Sequence, residues 1–142
     1  MDKYELSRFI EAQDKCYLNV VAELKKGKKR THWMWYIFPQ IIGLGSSDYA
    51  KYYAFKSIDE ARDYLRNETL KNRLFELIQI LLDLEINDPK YIFEYPDYLK
   101  FHSSLTLFNY IEPKEELFSK ALNKFYAGKK DDLTLKIIKK ME

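Results

Sequence analysis

The chain has 142 residues, 24 Lys and Arg against 22 Asp and Glu, a formal charge of +2, and 46% hydrophobic residues. Charge this close to balance excludes a dedicated nucleic-acid coat or a polybasic membrane binder, and only 4 Gly and 4 Pro exclude collagen, disorder and a loop-rich β-sandwich. The length suits one domain, residues 1–142, with a core that needs neither disulfides nor metal.

In chain order, Leu6, Phe9, Ile10, Tyr17, Val20, Val21 and Leu24 recur at helical spacing and predict one helix that Gly27 stops. Gln13 interrupts the apolar stripe, where a buried amide needs partners; a neighbouring backbone group is the simplest one. Five cations follow, Lys25, Lys26, Lys28, Lys29 and Arg30, and then six consecutive apolar residues, Trp33 to Phe38. Pro39 biases Phe38 away from helix, and Gly43 and Gly45 open backbone angles closed to other residues. The segment 31–47 therefore reads as a short helix or extended piece followed by a loop. GLGSS lacks the preceding strand and the Lys of a phosphate cradle and reads as a tight turn capped by Ser46 or Ser47.

Ser57 and Glu60 form a capping box that starts a short helix ending near Asn67. Leu70, Leu74, Leu77, Ile78, Leu81 and Leu82 make the broad apolar face of a longer one, which Asn87, Asp88 and Pro89 end while starting another with Pro at its first helical position. From Asp97 to Ile111 the chain is apolar almost all round, the mark of a buried central helix. Pro113 opens a helix closed by Gly128, and Asp132 can cap a last one carrying Leu135, Ile137 and Ile138. The expectation is an all-α, compact single domain of six to eight helices with one buried central helix.

Cys16 has no internal partner, and with two His in the chain there is no ligand set for a structural zinc. No metal site and no redox cofactor is expected. MDKYELSRF lacks an apolar signal core, and the longest apolar run is far short of the roughly 20 residues that cross a bilayer, so the expected setting is a reducing cytoplasm with no membrane partner.

On the central helix Asp97, Lys100, Ser104 and Phe108 share one arc. Lys100 either pairs with Asp97 and extends to solvent, or joins Ser104 in binding an anion, or acts as a base. His32 and His102 are the side chains that ordinarily titrate near neutrality, and His32, between the cation run and the tryptophans, is the better acid-base candidate. Trp33 and Trp35 are core anchors by default; flanked by His32 and Gln40, they could instead wall a ring-binding pocket.

HWMWYIFPQ followed by GLGSS, then DYLKFHSSLTLF and FYAGKKDDLTL, resemble a bacterial family catalogued as domain of unknown function eighteen-ten. The resemblance runs from SRFIEAQ to DDLTL and implies an all-α fold. His32, Trp33, Trp35, Pro39, Gln40, Gly43 and Gly45 match the first motif, and Asp97, Lys100, Ser103, Ser104, Thr106 and Phe108 the second. Tyr95 and Pro96 depart from the Gly-containing turn usual there. Members sometimes carry the label calpastatin, which does not fit: such an inhibitor is a disordered polar chain, and this one has the periodicity of a packed domain.

The functional expectation is a polar pocket for a small anionic ligand, a nucleotide or sugar phosphate. His32 and Lys100 are its catalytic candidates, for group transfer or hydrolysis if there is turnover, and Trp33, Trp35, Gln40, Ser103 and Ser104 its binding candidates. The alternative is a protein or RNA interaction module using the Lys25–Arg30 run.

Overall fold

The computed structural model describes residues 2–142, among which there are ten helices and no strand. The chain is all-helical. The stripe between Leu6 and Leu24 forms two helices, α1 (Ser7–Asp14) and α2 (Tyr17–Lys25), with the break at Lys15 and Cys16. No apolar side chain continues the stripe through Asp14 and Lys15, so tertiary packing does not hold the helix there. Gln13, 1% exposed, donates to the Tyr36 carbonyl at 2.7 Å and the Tyr64 hydroxyl at 3.1 Å, and accepts from Arg73 at 3.3 Å. The polar gap in the stripe is thus a satisfied amide joining α1 to its neighbours.

The aromatic run forms one turn, α3 (Met34–Ile37), which Pro39 ends. Beyond it, Ile41 pairs with Phe55 in an isolated parallel bridge. Gly43 sits at φ +106°, and a Cβ there would lie 3.3 Å from Ile137 Cδ1. Both the positive φ and the close approach require glycine. Ser47 then caps α4 (Asp48–Tyr53), a helix the sequence patterning does not announce.

Ser57 caps α5 (Ile58–Arg66) by accepting from the Glu60 N–H at 3.1 Å. The reciprocal half of the box is absent: Glu60 turns to the Lys56 N–H and to Arg8. Asn67 caps α6 (Glu68–Asp83), and Asp88 caps the short α7 (Pro89–Ile92). Next come α8 (Asp97–Ile111), α9 (Glu116–Tyr126), capped by Glu115 and not begun at Pro113, and α10 (Asp132–Met141), capped by Asp131 and not Asp132. The expected six to eight helices become ten because the first stripe divides and α4 is added.

Helix α8 packs against α3, α5, α7, α9 and α10, and its residues 103–109 are all buried. Much of the aromatic excess is core. Phe38, Phe93 and Phe101 meet with ring centroids 4.8–6.1 Å apart, and Phe55, Tyr64 and Phe108 form a second cluster at 5.4–6.0 Å. No helix among the described residues is long and apolar enough to cross a membrane.

Candidate functional site

The first motif is held from behind by Glu23, a carboxylate 6% exposed in the last turns of α2. A negative charge near a helix C-terminus opposes the helix dipole and needs compensation. Glu23 receives it as five hydrogen bonds: from the Arg30 and Thr31 backbone N–H groups at 2.6 and 3.0 Å, the Thr31 hydroxyl at 2.6 Å, Trp33 Nε1 at 3.1 Å and Asn19 at 3.2 Å. Burial raises the carboxyl, but the bonds from Thr31, Arg30 and Trp33 outweigh it and hold the group below its ordinary 4.5.

The clamp decides the fate of the two tryptophans. Trp33 is 1% exposed, its indole bound to Glu23 and its ring packed on Phe38 and Phe93. It is a core anchor with no face open to a ligand. Trp35, two residues on, points the other way and lines a groove of about 440 Å³ between α1, α3 and α4.

The groove is an aromatic trough. Trp35 and Tyr36 form one side, and Tyr49, Tyr52 and Tyr53, spaced i, i+3, i+4 along α4, form the other. Trp35 meets Tyr49 at 5.0 Å and 76°, and Tyr36 meets Tyr53 at 5.1 Å and 56°. Burial pushes the Tyr36 and Tyr53 hydroxyls above their ordinary 10, so both remain neutral donors at physiological pH. Glu11, Lys15 and His32, all exposed, supply charge and hydrogen bonding at the rim. Arg8 also lines the trough, but its guanidinium is occupied. It pairs with Glu60 at 2.6 Å and donates to the carbonyls of Tyr4, Glu5 and Tyr52.

Lys100 comes from α8 to the same indole, its Nζ lying 5.3 Å from the Trp35 ring centroid. Asp97 stands 3.8 Å from Lys100 and 2.8 Å from Lys29. Lys29, its side chain 9% exposed, is therefore part of this junction and unavailable to an outside partner. Lys28 reaches Glu94 at 3.9 Å, while Lys25, Lys26 and Arg30 are exposed. The five-cation run is not a continuous basic face.

The second motif divides. Ser103 donates toward the Leu99 carbonyl and Asp131, both at 3.1 Å, and Thr106 accepts from the Asp131 N–H at 2.9 Å. These hydroxyls fix the start of α10, which removes Ser103 from any pocket. His102 stacks on Tyr126 at 4.0 Å with Nε2 2.7 Å from the Lys129 carbonyl. Ser104, one turn after Lys100 and 1% exposed, has a hydroxyl without a protein partner; Trp35 Nε1, also buried, has none. Gln40 serves through its backbone, its carbonyl accepting from the Phe55 N–H at 2.9 Å.

Of the residues singled out from sequence, His32 and Trp35 line the groove, Lys100 reaches the Trp35 ring from outside that lining, and Trp33, Gln40, Ser103 and Ser104 do not line it. Sequence reasoning missed Glu23, Glu11, Lys15 and the α4 tyrosines. The i, i+3, i+4 spacing of Tyr49, Tyr52 and Tyr53 was the available signal for the last of these. No group of three or more His, Cys, Asp or Glu residues positioned to hold a metal ion occurs among the described residues.

Fold and site together define an all-helical domain with an aromatic groove set between its first, third and fourth helices. The chain belongs to the family described as "Protein of unknown function (DUF1810)", whose model matches residues 3–138. Among solved structures it is similar to the conserved hypothetical protein Rv1873 from Mycobacterium tuberculosis, with 40% identity and a TM-score of 0.95 over 97% of this chain and 99% of that one. A search of curated proteins finds no match.

Proposed function

We propose that the chain binds a small anionic ligand, a nucleotide or sugar phosphate, in the groove at Trp35. The observation that carries this reading is the aromatic trough itself, with His32 and Lys15 at its rim and Lys100, from a motif far along the chain, 5.3 Å from the centroid of the Trp35 ring that lines it. Lys15 supplies positive charge, His32 a rim donor or acceptor, and the ring wall an apolar contact, while Lys100 lies against the Trp35 ring outside the groove lining. The volume lies in the range of small-molecule sites. Lys100 and Ser104 are both mounted on α8, whose residues 103–109 are buried against its neighbours. If the ligand is turned over, His32 is the acid or base for group transfer or hydrolysis.

The test is a thermal-shift screen of nucleotides, sugar phosphates and small carboxylates, with His32→Ala and Lys100→Ala alongside. A ligand at a hundred times its Kd stabilises the fold by about 2.7 kcal/mol, roughly 9 °C for a domain of this length. The shift should shrink in both variants. Silence across the library with folded variants would refute the reading.

A further inference from the structure

We infer that the ligand class of this groove is a planar nitrogen heterocycle bearing a phosphate, a nucleoside monophosphate, and not a sugar phosphate. This rests on the groove being the ligand site and goes further by choosing between the two chemistries. The first observation is the wall. Five rings, those of Trp35, Tyr36, Tyr49, Tyr52 and Tyr53, bound the trough. They meet one another tilted or edge-to-face, at 76° for Trp35 and Tyr49, 72° for Tyr49 and Tyr53, and 83° for Tyr52 and Tyr53. In that arrangement a ring edge rests on its neighbour, and a flat guest can complete the stack against a face. Tyr49 and Tyr52 are 59% and 52% exposed, so this aromatic surface is open to solvent as it stands.

The second observation is the kind of polar group that accompanies the wall. A hexose offers a hydroxyl on nearly every ring carbon, and each needs a partner when it leaves water. The trough has one carboxylate, Glu11, and its one guanidinium, Arg8, is already held by Glu60 and four backbone carbonyls. A sugar ring would have to pair several hydroxyls at once along a wall made mostly of ring faces. A nucleobase presents two apolar faces and a few polar atoms in its plane. Glu11 can accept from an exocyclic amino group, and the hydroxyls of the exposed Tyr49 and Tyr52 can donate to ring nitrogens, that of Tyr36 being already given to the His32 carbonyl.

The third observation is charge. Lys15 and Glu11 hold no ion pair among the described residues, and Lys15 shares the rim with His32. A phosphate at that rim meets a cation and an imidazole, while the base lies deeper against Trp35.

Isothermal titration calorimetry on the full chain decides the matter, with adenosine 5′-monophosphate, glucose 6-phosphate and inorganic phosphate as probes. The monophosphate should bind at least tenfold more tightly than the other two, and Trp35→Leu should weaken it tenfold or more with the circular dichroism unchanged. If Trp35→Leu does not fold, Tyr49→Leu, at an exposed ring, takes its place and should weaken binding several-fold. Glucose 6-phosphate or phosphate binding as tightly as the nucleotide would overturn the planar-ring assignment and leave an anion site standing. Binding that survives the ring substitution would also overturn it. No heat with any probe would remove both the assignment and the site beneath it.

Discussion

Replacing Glu23 by Ala tests whether one buried carboxylate organises the first motif. The substitution removes five hydrogen bonds, two of them at 2.6 Å. Bonds to a charged group contribute about 1.5–3 kcal/mol each when taken singly, but they do not sum here. The Asn19 amide and Thr31 hydroxyl can turn to water, and Arg30 and Thr31 lie at the surface. The buried Trp33 Nε1 cannot, and stranding it costs about 1–3 kcal/mol. Adding the lost anchor of the 30–33 turn gives about 4 kcal/mol, or a fall in Tm of about 12 °C for a domain of this length. Glu23→Gln keeps an acceptor oxygen and should lose about half as much.

The pH dependence has a fixed sign. Because the folded carboxyl is held below its ordinary 4.5, its contribution is full above that pH and is lost as pH falls through the folded value. Chemical denaturation at several pH values should show a constant gap between wild type and Glu23→Ala at pH 6–8 that closes below 4.5. A cost under about 1 kcal/mol, or a gap that widens in acid, would refute the clamp.

Arg8→Met leaves the Glu60 carboxylate, 3% exposed, without its cation and should cost about 3–5 kcal/mol, while adding Glu60→Leu should recover part of that loss in the same denaturant titration. Asp131→Ala removes the cap of α10 and the partner of Ser103 and Thr134, and should lower stability by about 2 kcal/mol with faster amide exchange confined to α10. Ser103→Ala should leave ligand affinity unchanged, since its hydroxyl serves that same cap. Lys29→Met should cost about 2 kcal/mol by removing the nearer of the two cations at Asp97 and leaving only the longer contact to Lys100, whereas neutralising Lys25 and Lys26 should change stability by less than about 0.5 kcal/mol.

Helices with caps and a full apolar face were legible from the residues alone. Ser57 and Asn67 bracket α5 and start α6, and the Asp88–Pro89 signal opens α7 as its chemistry requires. The break between α1 and α2 was not legible, because Cys16 is neither Gly nor Pro and the stripe resumes in phase at Tyr17. Helix α4 hid because its tyrosines, half-exposed, carry no core-facing pattern; none of its residues is buried.

The site was half legible for the same kind of reason. The polar residues among aromatics marked both motifs, but position along the chain could not distinguish Trp33 from Trp35, whose environments are set by Glu23 ten residues upstream. Helical arcs set Ser104, and not Ser103, beside Lys100, but they could not show that what claims Ser103 is Asp131, in a different turn of the chain. Side chains whose partners lie across the fold announce their type in a sequence and not their occupation.

The groove at Trp35 is the centre of the proposed function, and the chain carries its own reporters there. It has two indole N–H groups, one locked to Glu23 and one beside the groove. In a ¹⁵N-correlated NMR titration with adenosine 5′-monophosphate and, separately, glucose 6-phosphate, the Trp35 indole signal, assigned by its loss in Trp35→Leu, should move saturably with at least one ligand while the Trp33 signal stays in place. Two stationary indoles through millimolar ligand, or movement of the Trp33 signal alone, would contradict the central claim.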